Sequence, residues 1–442
     1  MPSCRKIAAQ LVTQKRFLPL LVAQSLGAFN DNFFRYALVT LITFEGLTMF
    51  GLDRLTLVSV AASMFTVPIF LFSAVAGRMA DKFDRTRIMR FAKFAEIWLM
   101  AITALGFILE QPHLLMTALF LMGTQSAFFT PAKNSALPTL LTDKELVPAN
   151  ALISGLLNVS VLIGIGTGTW LITQSFGPQA VGGGLVVMAI IGWLAIRQLP
   201  QAPASQPDMP LTINFIGESF RVLGYALKAP DVLRPLMGVA WFWMLAASII
   251  TLMPVFTASV LGADETVVLL FSALFTVGAA IGAMLCGALS GDGDALPFSI
   301  SGAFGVVIFA GDVALHTWSN PLTPEGAPLV SANAFMGEPA NLRILIDLGM
   351  AAVSAGLFVV PLQAMAQRRA PAELRGRLLA AGGILNAATA TAGQFVLAAI
   401  AALTLPIQTA FLVIAAISLL AGLFILWRQS LRWRSAPDSP SR

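Results

Sequence analysis

Twelve long apolar stretches follow one another along the chain, and a membrane helix needs about 20 such residues. They run near 17–45, 54–77, 87–109, 112–136, 146–173 and 179–197, then 232–260, 265–289, 295–315, 343–367, 375–403 and 405–427. Turn signals and short polar segments separate them, so the spacing predicts an all-α protein threaded repeatedly through a bilayer. Only 11% of the residues are charged, against about a quarter in a soluble domain. That excludes an ordinary soluble enzyme and, with 57% hydrophobic residues, a disordered chain.

Between the sixth and seventh stretches the composition breaks. Residues 198–231 open with Leu199-Pro200-Gln201-Ala202-Pro203, contain Pro207 and Pro210, and become amphipathic from Ile213 to Leu227. This reads as a cytoplasmic linker between a six-helix half over 1–197 and a second over 232–428, with a cytoplasmic tail over 429–442. An internal echo supports two parallel repeats: Glu145-Leu146, Gly155, Leu157 and Asn158 recur, at an offset of 228 residues, as Glu373-Leu374, Gly383, Leu385 and Asn386.

Basic residues orient the chain, because cytoplasmic loops carry the excess of Lys and Arg. With both termini, the linker and alternate loops inside, 24 of the 27 Lys and Arg fall on the cytoplasmic side, leaving Arg35, Arg54 and Arg343. The net charge of +5 is then topology rather than a nucleic-acid patch. The first stretch is too long for a signal peptide and has no small-residue cleavage site after it, so it is expected to be retained. Two cysteines, Cys4 and Cys286, and two histidines, His113 and His316, provide neither a disulfide framework nor a metal cluster.

No GxxxxGK[ST] phosphate loop occurs. His113 and His316 are followed five residues on by Ala118 and Pro321, so an acyltransferase HxxxxD pattern is absent too. The expectation is a secondary carrier, not an enzyme, needing no cofactor and no metal.

Polar residues inside the spans carry the remaining information, since a charge at mid-bilayer costs about 2.5–3.5 kcal/mol on insertion scales. The first span is the densest, with Gln24, Asn30, Asp31, Asn32 and Arg35. Asp31 and Arg35 are four apart and share a helix face. They either neutralise one another or form a zwitterionic recognition pair, and Asn30 and Asn32 widen the polar arc beyond what neutralisation needs. Lys133, after Phe128-Phe129-Thr130-Pro131-Ala132, either snorkels to the cytoplasmic surface or faces a cavity where it would meet a phosphate. Glu96 follows Lys93 by three residues, a structural pair or part of the site. Asn158 and Asn386 occupy matching repeat positions suited to helix packing or to substrate contact. Asp312, Arg343 and Asp347 fall near the outer face and are not read as central. The seventh span holds Trp241-Phe242-Trp243. An aromatic, apolar wall opposite the polar first helix suits an amphiphile.

The loop Gly77-Arg78-Met79-Ala80-Asp81-Lys82-Phe83-Asp84-Arg85-Thr86-Arg87 resembles the loop signature of the major facilitator superfamily. Gly77, Asp81, Lys82, Arg85 and Arg87 fit it, while Asp84 stands where glycine is usual and Thr86 where a basic residue is common. A glycine permits close helix approach and an aspartate at a helix end can hold a facing helix terminus, so these five are candidate gate residues. The matching segment of the second half, Gly287-Ala288-Leu289-Ser290-Gly291-Asp292, lacks basic residues.

A narrower resemblance covers nearly the whole chain. Gln24-Ser25-Leu26-Gly27-Ala28-Phe29-Asn30-Asp31-Asn32-Phe33-Phe34, the Thr130–Lys133 segment with Leu146-Val147-Pro148-Ala149-Asn150, Trp241-Phe242-Trp243, Val260–Glu265 and Arg375–Ala381 look like the lysophospholipid transporter family. That family is a bacterial inner-membrane branch of the major facilitators. The resemblance implies a twelve-helix major facilitator fold, and flipping of lysophospholipids to the cytoplasmic leaflet for reacylation. Asp31 and Asn32 would meet the head-group amine or polar linkage and Lys133 the phosphate. Some relatives are fused to a lysophospholipid acyltransferase and an acyl-carrier-protein synthetase. This sequence reaches Arg442 without one, so such a partner would be a separate polypeptide, and the carrier itself is expected to be a monomer. Ala381-Gly382-Gly383 stands where fused members tend to have Ala-Asn-Asn. The alternatives are a proton-coupled exporter of drugs or metabolites using Asp31 or Glu96, and a non-transporting membrane partner of a lipid-synthesis enzyme.

Overall fold

The computed structural model describes residues 4–209, 215–290, 296–319, 322–323, 328–371 and 375–435. Helices dominate the described residues. In order they are α1 (Cys4–Leu11), α2 (Leu18–Thr43), α3 (Arg54–Lys82), α4 (Arg85–Ile108), α5 (Pro112–Leu140), α6 (Asp143–Ile172), α7 (Gly177–Arg197), α8 (Phe215–Leu227), α9 (Pro230–Ser259), α10 (Glu265–Ser290), α11 (Leu296–His316), α12 (Ala332–Gly337), α13 (Pro339–Arg369), α14 (Arg375–Ala402) and α15 (Thr409–Ser435). Within the described residues β-pairing is limited to an isolated bridge between Ala263 and Val330.

Among the described residues, eleven helices are long and apolar enough to cross a membrane by length and composition: α3 to α7, α9 to α11, and α13 to α15. The difference from the expected twelve is α2. It has 26 residues, about 39 Å at 1.5 Å per residue, but Gln24, Asn30, Asp31, Asn32 and Arg35 dilute its apolar content. The helix with the densest set of polar residues is the one that composition alone does not mark as a span.

Helix ends follow local chemistry more than hydropathy. Asp53 caps α3 by accepting from the Thr56 amide (2.9 Å), and Asp84 caps α4 by accepting from the Arg87 amide (2.7 Å). Asp84 therefore has a local reason to replace glycine. Thr142 and Glu145 form a reciprocal capping box at the start of α6, which satisfies two otherwise orphaned amides. α3 continues through Gly77 to Lys82, so the first part of the basic loop is helical. An apolar stretch ends where lipid ends, and a helix can outlast it.

By contacts the chain divides into two compact units, Met1–Lys228 with Gly376–Ala398, and Ala229–Arg375 with Ala399–Arg442. The linker as far as Lys228 thus belongs to the first unit, and so does most of α14, where the Thr391 hydroxyl lies 2.8 Å from that of Thr66 on α3. The amphipathic stretch of the linker forms α8. Its expected first residues, Ile213 and Asn214, lie outside the described residues, as do Pro210, Gly291, Asp292, Glu373, Leu374 and the tail beyond Ser435.

Small residues set how closely the helices of each unit pack. On α6, a Cβ placed on Gly164 would lie 2.6 Å from the Phe29 carbonyl oxygen, and one on Gly168 would run into that of Phe33. The pair is a GxxxG spacing that brings α6 backbone to backbone with α2. In the second unit Gly282 on α10 abuts the Val353 carbonyl, and Gly302 on α11 abuts that of Ser354 (2.5 Å), so α13 is gripped from two sides. Around the C-terminal end of α5, Leu20, Leu21, Ala80, Met89, Ala132, Ala136, Leu137 and Ala149 form one buried cluster that includes the linker's Leu199 and Ala202.

Replacing Gly168 with Ala should therefore destabilise the protein by about 1–3 kcal/mol, the usual cost of overpacking, read as a lower unfolding temperature in detergent. Gly183, whose added Cβ would meet nothing within 4 Å, supplies the control: Gly183→Ala should leave that temperature unchanged or slightly raised.

Candidate functional site

The polar arc of α2 splits when its neighbours are considered. Asn30 is fully buried and turns to α7, donating from Nδ2 to the Leu185 carbonyl (3.1 Å), while its Oδ1 has no partner among the described residues. Asn32 is half-buried and donates to its own helix at the Ala28 carbonyl (2.9 Å). Asp31 and Arg35 are also half-buried. Despite their i, i+4 spacing, the ion pairs found among the described residues do not include one between them. Arg35 lies with its guanidinium 5.1 Å from the Phe65 ring centre on α3, a cation–π contact, and the Asp31 carboxylate has no bonded partner among the described residues.

Behind Asp31 lies a closed ionic cluster. Lys93 Nζ and Glu96 Oε2 on α4 are 2.6 Å apart, with side chains 2% and 4% exposed. Gln125 on α5 donates to the same Glu96 oxygen (3.0 Å) and to the Ala92 carbonyl (3.3 Å). The Lys93 ammonium also sits 5.2 Å from the Phe129 ring centre. It presses on α2 so closely that a Cβ on Gly27 would lie 2.5 Å from Nζ. Lys93, Glu96 and Arg35 are all within Coulombic range of Asp31. Gln125 was missed in the sequence, although a lone amide inside an apolar span is a signal of this kind. Phe65 gave no signal.

Lys133 is half-buried. It follows Gln125 and Phe129 at intervals of four, so all three lie along one stripe of α5, with Lys133 nearest the helix C-terminus. The hydrogen bonds and ion pairs found among the described residues do not include it. Asn158 is not brought into the cluster. The Gly164–Phe29 and Gly168–Phe33 contacts run α6 parallel to α2, which sets Asn158 level with Ala23, about two turns short of Asp31, and its side chain is exposed. Asn386 has a buried Oδ1 without a partner among the described residues, so the two repeat-matched asparagines occupy different surroundings. In the second unit Trp241 packs edge-on against Phe358 (4.3 Å between centres), while Trp243 is half exposed.

The candidate gate residues serve different ends. Arg85 is buried and strapped to the linker: its amide donates to the Ala202 carbonyl (2.9 Å), Nη1 to Pro203 (3.0 Å) and Nε to Ala80 (3.2 Å). Thr86 donates to the Pro200 carbonyl (2.7 Å) and Arg90 to that of Leu199 (2.6 Å). Asp81 accepts from the Ser205 hydroxyl (3.2 Å), and its carbonyl accepts from the Gln206 amide (2.9 Å). Prolines in the linker remove amides but leave carbonyls, and these are what the basic corner takes up. Lys82 lies 6.0 Å from the Phe83 ring centre and Arg87 is exposed. A Cβ on Gly77 would meet nothing within 4 Å, so close helix approach is not what the described residues show there.

Removing one partner of a buried ion pair strands the other, at about 3–5 kcal/mol. Lys93→Met should lower the unfolding temperature strongly, and adding Glu96→Met should recover most of the loss. Arg85→Ala should leave the unit folded but expose the linker, seen as faster limited proteolysis between residues 199 and 209, with Arg87→Ala unchanged.

Comparison with known proteins narrows the setting. The sequence model of the Major Facilitator Superfamily matches residues 20–337. Among curated proteins, the chain is 27% identical over 379 residues to the lysophospholipid transporter LplT of Enterobacter sp. (strain 638), covering 78% of this chain and 91% of that protein. It is 26% identical over 364 residues to LplT of Serratia proteamaculans (strain 568), covering 80% of each. Among solved structures it resembles a point mutant of the peptide transporter POT in complex with sulfate, with a TM-score of 0.70 at 14% identity over 96% of this chain and 98% of that one. It also resembles the nucleoside transporter NupG, with a TM-score of 0.63 at 13% identity over 92% and 98%. At these identities the structural likeness speaks for the fold.

Proposed function

Because the chain belongs to the major facilitator superfamily, we propose that it is a secondary carrier of lysophospholipids, delivering them to the cytoplasmic leaflet of a bacterial inner membrane for reacylation. In this reading α2 is the twelfth span, the two sequence repeats form six-helix halves, and both termini face the cytoplasm. The LplT-named relatives support the substrate class. The observation that carries the reading is the Asp31 carboxylate, which has no bonded partner among the described residues while Arg35 lies against Phe65.

A zwitterionic head group needs an anion for its amine and a cation for its phosphate. Asp31 supplies the first, with Asn32 beside it for the polar linkage. Lys133 and Arg35 supply the second. Neither is held by an ion pair found among the described residues, so binding need not first break one. Desolvation strengthens each contact, since a charge pair gains as the local dielectric falls. Glu96 is committed to Lys93 and Gln125, and its role is to fix Lys93 behind Asp31 rather than to touch substrate. Asn158 lies outside this set. Alternating access requires the cytoplasmic corner to move, and the Asp81–Arg85 strap on the linker is the contact we assign to that step. A separate acyltransferase would consume the delivered lipid and draw transport inward.

Spheroplasts or proteoliposomes given labelled lysophosphatidylethanolamine test the reading. Wild type should move the lipid inward. Asp31→Asn and Lys133→Ala should each cut the rate at least tenfold, about 1.4 kcal/mol or more, at normal protein levels. Full uptake in both variants would remove the site, and no uptake by wild type would remove the substrate class and favour an exporter.

A further inference from the structure

The second unit carries a charged cluster that plays no part in the site above. Arg343 on α13 grips Asp312 on α11 with two parallel bonds, Nε to Oδ2 (2.8 Å) and Nη2 to Oδ1 (2.7 Å). Asp347 lies one turn further along α13. The exposure of the three runs in order: the Arg343 and Asp312 side chains are 56% and 28% exposed, whereas Asp347 is 6% exposed. Asp347 is the inner member, with the other two between it and the surface.

Its surroundings do not suit a carboxylate. Asp347 Oδ2 is fully buried, and treated as an acceptor it has no donor among the described residues. Asp347 shares a face of α13 with Arg343, one turn away, and so stands beside the Asp312 carboxylate that Arg343 holds, itself an acceptor. Two acceptors face each other, and only a proton between them makes the contact favourable, because adjacent carboxylates cannot both ionise without strong repulsion.

The packed elements supply little other compensation. On α11 the further titratable group is His316, which is within Coulombic range of Asp312. On α13 itself the remaining charges are Arg368 and Arg369 at the opposite end, with Glu338 just before its first residue. α10 carries charge only at Glu265, α9 only at Asp231 and Arg234, α15 only at Arg428, Arg432 and Arg434, and α12 carries none. The His, Cys, Asp and Glu side chains of the described residues form no group of three or more suited to a metal ion. A proton is the cation this geometry accommodates.

We propose that Asp312 and Asp347 form a proton-binding site, with the proton held on Asp347 and donated to Asp312 while Arg343 pins the Asp312 carboxylate. Binding takes one proton from water onto the Asp347 carboxylate. The resulting acid is neutral and its O–H fills the gap opposite Asp312. Release returns the proton to water and leaves two carboxylates facing one guanidinium in the seam between α11 and α13. That seam is tight further along, where Gly302 meets the Ser354 carbonyl, so the repulsion acts at the Asp347 end alone and biases the two helices apart there. The site is separate from Asp31 and independent of which substrate is carried.

Infrared spectroscopy of the purified protein in lipid, titrated from acidic to alkaline pH, tests this without any transport measurement. Wild type should show a carboxylic-acid C=O band that is lost as pH rises and is missing from Asp347→Asn. Asp312→Asn removes the facing carboxylate and frees Arg343, so the band should titrate at a pH lower by about one unit or more. Arg343→Gln should move it the other way. Asp347→Asn mimics the protonated form and should keep the wild-type unfolding temperature; if it fails to fold, the Asp312→Asn and Arg343→Gln shifts decide. A band unchanged in Asp347→Asn, or insensitive to both neighbouring substitutions, would overturn the proposal.

Discussion

The ammonium of Lys93 joins three helices at one point. It is paired with Glu96 on its own helix, lies over Phe129 of α5 and presses on the bare backbone of α2 at Gly27. A charge this deeply buried is tolerable only when paired and hydrogen-bonded, and here Gln125 completes the pairing. The arrangement constrains the rest of the first unit. A side chain at Gly27 would displace the Lys93 ammonium, α4 presents Lys93 and Glu96 one turn apart, and Asp31 is left one turn beyond Gly27, near that positive charge but not bonded to it. The polar arc of α2 is held half-satisfied by a cluster that is itself complete.

Close packing makes that precision possible. α6 lies on α2 through Gly164 and Gly168, so the α2 backbone carrying Asn30 to Asn32 cannot slide without meeting carbonyl oxygens. Asn30 adds a bond to α7. The second unit uses the same device on α13, with Gly282 and Gly302 pressing from α10 and α11, but its buried side chains near those seams are almost all apolar. Ser299 and Ser354 add small hydroxyls there, and Asp347 is that unit's buried charged side chain among the described residues. Both units are built by small-residue packing, and they differ in what that packing holds in place.

The sequence was most informative where lipid dictates composition. The apolar stretches match the helices closely, and Asp31, Arg35, Lys93, Glu96 and Lys133 all stood out because a charge in such a stretch is costly. Partnership was less legible. The i, i+4 spacing of Asp31 and Arg35 suggested a pair, yet Arg35 takes the Phe65 ring of another helix, a choice set by tertiary packing. Glu96, three residues after Lys93, and Asn158, matched to Asn386 in the repeat, were each open between a structural and a site role; Glu96 is locked in an ion pair with Lys93, and Asn158 is exposed about two turns short of Asp31. Asp347 looked peripheral from its position along the chain, whereas its depth follows from α11 lying across it. Helix ends such as Lys82 were hidden because hydropathy reports the lipid boundary and not the hydrogen-bonded one.

The basic corner after α3 shows how one motif can satisfy two demands. Positive residues there meet the topological rule for cytoplasmic loops, and nothing in that rule requires them to be ordered. Arg85 and Arg90 are nonetheless spent on the carbonyls of Leu199 and Pro203, with Thr86 taking that of Pro200. A proline-rich segment offers acceptors without competing donors, so it cannot fold back on itself and is free to be held. Charge-assisted bonds to such carbonyls are stronger than neutral ones, and each lies within the first unit. The consequence is that residues 199–206 move with the α3–α4 corner rather than as a slack tether.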